Sequence, residues 1–93
     1  MHNQSSRTHQ SHRTSASPAD VLRAAREFFA HSSSIYAAFV EKEGANHLVL
    51  RGQGGEEVVV AAFADGNGTV VSGSSYMFDQ QVARFLTTLA PAA

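Results

Sequence analysis

The sequence predicts an α+β domain: a two-layer sandwich, with a four-stranded antiparallel meander and two helices on one face, in the order α-β-β-β-β-α. Three observations carry this. Apolar residues recur at helical spacing twice, over 18–30 and 78–89. Between those stretches lie short β-branched and aromatic runs, punctuated by glycine and asparagine. Connections this short join neighbouring antiparallel strands, and two helices with one apolar stripe each bury both stripes on one face of a sheet.

Ser17-Pro18-Ala19-Asp20 opens the first helix: Ser17 as N-cap, Pro18 at the first helical position, Asp20 where a capping-box acid stands. Val21, Leu22, Ala25, Phe28 and Phe29 then share one face, and the helix runs to about Ala30. His31-Ser32-Ser33-Ser34 has loop composition, with His31 placed to interact with the last carbonyls. Ile35 to Glu43 reads as a strand, with Ile35, Ala37 and Phe39 on one face and Tyr36, Ala38 and Val40 on the other. After the turn Gly44-Ala45-Asn46, a second strand covers His47 to Arg51, with Leu48 and Leu50 inward. Gly52-Gln53-Gly54-Gly55 breaks the chain. A hairpin follows: Glu56 to Ala64, the reversal Asp65-Gly66-Asn67-Gly68, and Thr69 to Tyr76. Phe78, Val82, Phe85, Leu86 and Leu89 form the stripe of the last helix, with Ser75 or Asp79 as its cap and Pro91 beyond its end.

Residues 1–17 differ from the domain at 18–90. Their only apolar residues are Met1 and Ala16, so burial cannot offset ordering entropy and a disordered polar tail is expected. Arg7 and Arg13 make this segment basic, whereas the remainder carries eight acids against five bases. A mildly acidic body with scattered bases is a poor nucleic-acid surface, and nucleic acid is not expected as a partner. The longest apolar run, Val58 to Ala64, is too short to span a bilayer, and no membrane association is expected. The chain has no cysteine, which removes disulfides and thiolate metal sites and suits the cytoplasm.

The candidate chemistry is thin. The loop at 52–55 leads into Glu56, Glu57 and a strand rather than a helix, so it reads as a tight turn and not a phosphate cradle. Glu56 and Glu57 alternate across a strand and cannot act as a direct acid/base pair. Ser72, Ser74, Ser75 and His47 have no nucleophile-elbow context. His9 and His12 have H-x-x-H spacing without carboxylates or thiols nearby, and no metal or cofactor is expected. The aromatic residues Phe28, Phe29 and Phe85 fit a core better than a ligand box.

Phe28-Phe29, the run Arg51-Gly52-Gln53-Gly54-Gly55, and Phe78-Asp79-Gln80-Gln81-Val82-Ala83-Arg84-Phe85-Leu86 resemble a set of small bacterial proteins with a glycine-run loop and a W-D-x-Q-V-R-x-F-L ending. Phe78 replaces that pattern's Trp, and Glu56-Glu57 replace the aromatic residue that follows its loop. The resemblance implies the fold and brings no activity with it.

The functional expectation is therefore a non-catalytic cytoplasmic interaction module. Its rival is a ligand-binding protein or enzyme using a cavity between sheet and helices. Val58 to Ala64 is apolar without alternation, as in a strand buried on both faces. With Val58, Val60 and Ala62 toward the helices, Val59, Ala61 and Phe63 face outward, joined by Val49 and by Tyr36, Ala38 and Val40. A patch that broad predicts a homodimer.

Overall fold

The computed structural model describes residues 7–32 and 36–91. Its elements are β1 (Arg7–Thr14), α1 (Pro18–Ala30), β2 (Ala38–Glu43), β3 (His47–Gly52), β4 (Glu57–Asp65), β5 (Gly68–Tyr76) and α2 (Asp79–Thr87). They form one antiparallel sheet in the order β1-β5-β4-β3-β2. The α+β class and the β2–β5 meander agree with the sequence.

The four-strand count is corrected to five. Arg7–Thr14, inside the segment expected to be a disordered tail, pairs along its length with β5. It escapes a periodicity search because all eight residues are polar. A ladder is made by backbone groups, and an edge strand can enter it without an apolar face. Residues 1–6 of that segment, and Ser33, Ser34 and Ile35, lie outside the described residues.

Ser17 caps α1 as its position suggests, its hydroxyl accepting from the Asp20 N–H at 3.1 Å. The Asp20 carboxylate binds Arg23 at 2.7 Å. The cap of α2 is neither Ser75 nor Asp79 but Phe78, without a side-chain hydrogen bond. The hairpin strand continues through Ser75 to Tyr76, and Met77 turns the chain into the helix at φ +75. Between β4 and β5 the turn is two residues, Gly66-Asn67. Only Gly66 has positive φ (+64), the pattern of a type II′ turn, which matches strand twist.

Both helices cover the same sheet face. Phe29 of α1 and Phe85 of α2 meet at 5.9 Å between ring centroids, with Phe28 5.1 Å from Phe29 and 5.6 Å from Phe85. Beneath them Leu48, Leu50, Val58, Val60, Ala62 and Val71 are fully buried. At Gly73, α2 approaches so closely that a Cβ would stand 2.6 Å from Val82 Cγ1. Side chains of both helices thus pack directly onto the sheet. No helix among the described residues is long and apolar enough to cross a membrane.

The facing of β2 is also corrected. The register pairs Ala38 with Gly52 and Val40 with Leu50, which puts both on the helix side. Ala38 is fully buried, and Val40 and Tyr36 pack against the core, Tyr36 edge-on to Phe78 at 5.6 Å. Phe39 is the residue that points outward, 55% exposed. Both alternations of this strand are apolar, so only pairing with β3 decides which is inside. Past Val40 a bulge sets Glu41 and Lys42 against Val49.

Candidate functional site

The outer face of the sheet is built in rows that the registers define. Phe63 stands opposite Val70. His47, Ala61, Ser72 and Ser11 follow across four strands, then Lys42, Val49, Val59, Ser74 and His9 across five. The next row holds Phe39, Arg51 and Glu57. Val49, Val59, Ala61 and Val70 are half-buried by their neighbours, while Phe63 (55%), Phe39 (55%) and Tyr76 (47%) stand proud. Val49, Val59, Ala61 and Val70 form an apolar strip flanked in the same rows by His47, Lys42, Ser72 and Ser74, with aromatic rings toward both ends.

Four of the seven expected interface residues, Val49, Val59, Ala61 and Phe63, come together on this face. Tyr36, Ala38 and Val40 lie on the helix side and do not join them. Phe39, expected on the face opposite Tyr36, Ala38 and Val40 and so away from the interface, takes part in their stead, together with Val70 and Tyr76. The signal for Val70 was available: counting across a two-residue turn puts it opposite Phe63.

Ion pairs border the patch. Arg13 of β1 reaches Asp65 at 2.5 Å and its carbonyl at 3.1 Å. At the other end Arg51 binds Glu41 at 2.7 Å and lies 3.6 Å from Glu57. The hydrogen bond from Arg51 holds the Glu41 carboxyl below its ordinary range, and the positive charges of Arg51 and Lys42 act in the same direction. The partner effect raises the already high pKa of Arg51. These are exposed pairs, so they orient the rim more than they stabilise the fold.

The other candidates do not assemble. His47 and Ser72 are separated by Ala61, two strand spacings or about 9.5 Å apart. Ser75 is on the opposite face. His9 and His12 fall on opposite faces of β1, paired with Ser74 and Val71. Among the described residues no group of His, Cys, Asp or Glu is arranged to hold a metal. The loop at 52–55 is a hydrogen-bonded turn: the Gly55 N–H donates to Gly52 O at 3.1 Å, and Glu56 accepts from the Gly54 N–H at 3.0 Å. Two open depressions lie along α2. One, of about 310 Å³, is lined by Tyr36, Met77, Asp79, Gln80 and Gln81. The other, of about 410 Å³, is lined by Phe28, His31, Ser32, Gln81 and Arg84. The first has mainly polar walls, and the second is polar and apolar in similar measure.

No family model, no curated protein and no solved structure matches this chain.

Proposed function

We propose that this chain is a non-catalytic protein-interaction module of the cytoplasm that self-associates through the outer face of its sheet. The observation that supports it is the apolar centre of that face. Val49 beside Val59, Ala61, and Val70 beside Phe63 stand where a wetted antiparallel strand carries polar residues. The occupant is a second copy, because a two-fold axis sets apolar centre on apolar centre and leaves the ion pairs at the rim. The area suffices. Five strands about 4.8 Å apart and about seven residues long present roughly 550 Å² in projection. Side-chain relief brings this near the ~800 Å² per partner of a standard interface. A core this small also gains from a second layer. Light scattering at micromolar concentration tests the proposal: a mass twice that of the 9.9 kDa chain is expected, and a monomer refutes it.

A further inference from the structure

The seam between β1 and β5 is poorly matched, and the mismatch has a direction. β1 has no apolar side chain, yet its inward positions Gln10 and His12 stand opposite Gly73 and fully buried Val71, beneath α2. Two buried side-chain atoms among the described residues have no protein partner: His12 Nε2 and Ser75 Oγ. Both belong to this seam. The strand is also held unequally. At its C-terminal end Thr14 is fully buried, donating to Ala90 O at 2.5 Å and accepting from the Ala16 N–H at 3.2 Å. Thr69 donates to Ala16 O at 2.6 Å, and Arg13 is paired with Asp65. From His9 to His12 the side-chain bond present is Gln10 to Asp79 O at the start of α2, 2.9 Å and open to solvent.

We propose that Arg7–His12 is a displaceable placeholder, and that the β5 edge from Val71 to Tyr76 is a docking site for an extended strand of another protein. The incoming strand runs antiparallel to β5 and carries apolar residues at the two alternate positions that Gln10 and His12 occupy. Thr14 and Arg13 stay in place as a clamp while the segment before them peels away. The backbone ladder is the same for either occupant, so it supplies binding without choosing between them. Choice comes from the inward side chains: an aliphatic pair meets Val71 and Val82, whereas Gln10 and His12 bring polar atoms into that space. This docking edge adjoins the outer face, because β1 is also the border strand of that face and an incoming strand would take its place there.

The test uses the full chain and a fluorescent peptide, Arg-Thr-His-Val-Ser-Val, which is Arg7–His12 with valine at positions 10 and 12. Saturable binding at micromolar concentration is expected, with loss of amide-exchange protection over His9–His12. The peptide of native sequence should bind at least tenfold more weakly. Equal binding of the two peptides would overturn the proposal in favour of strand exchange between copies. A second arm locks the strand. Ser11 and Ser72 face each other on the exposed side. Counted from the closing pair Asp65–Gly68, theirs is a non-hydrogen-bonded position, the closer kind that a disulfide can bridge. In S11C/S72C the oxidised chain should lose peptide binding and the reduced chain recover it. If that variant does not fold, Q10V/H12V serves instead, because an improved resident strand should weaken peptide binding at least tenfold. No binding to the wild type, or binding unchanged by both variants, refutes the proposal.

Discussion

Replacing Phe63 by aspartate tests the outer face where its effect on the single chain is smallest. Phe63 is 55% exposed in the protomer, so roughly 110 Å² of a ~200 Å² aromatic side chain remains for a partner to cover. At ~25 cal/mol per Å² that is about 2.7 kcal/mol per copy, and two-fold symmetry counts it twice. Association recovers only part of such a sum, because ordering and imperfect desolvation oppose it. Half of the total is about 2.7 kcal/mol, a hundredfold weaker dimer, to which the cost of covering a carboxylate is added. Sedimentation velocity across a concentration series should show wild type as a dimer and F63D as a folded monomer. The proper control is Ala83→Asp, on the exposed side of α2, which should leave the mass unchanged. A wild type that stays monomeric at tens of micromolar, or an F63D chain that dimerises like the wild type, would refute the reasoning.

Phe29→Ala removes a fully buried ring that touches Phe28 and Phe85, and should cost about 3–5 kcal/mol in urea unfolding. In a domain this small, that loss should abolish the cooperative transition at 37 °C. Gly73→Ala forces a methyl against Val82 and should cost about 1–3 kcal/mol, with G73A/V82A regaining most of the loss in thermal melts. For Glu41 the folded pKa lies below the unfolded value, so its contribution is present at neutral pH and lost as pH falls through the folded value. A carbon-detected NMR titration should place its midpoint below 4.5, and Arg51→Gln should move it upward.

Much of this fold was legible from residue chemistry. A Ser-Pro cap before a helical stripe, a glycine-asparagine reversal between β-branched runs, and a polar-to-apolar alternation at Leu48 and Leu50 are local signals. Each states its structure through the preferences of a few adjacent residues. Val59, Ala61 and Phe63 were placed outward on the same basis, since Val58, Val60 and Ala62 had to be the alternation beneath the helices. Tertiary structure alone decided three things. The eight polar residues Arg7–Thr14 became a strand because β5 offered a free edge, and backbone hydrogen bonding does not write itself into side-chain pattern. The inward face of β2 was set by pairing Ala38 with Gly52 and Val40 with Leu50, because a strand apolar on both alternations has no parity of its own. The start of α2 fell at Phe78 rather than at a serine or aspartate, because β5 stays in the sheet through Tyr76 and the positive φ of Met77 makes the corner. In each case the deciding partner is distant in sequence or belongs to the backbone, and composition carries no record of it.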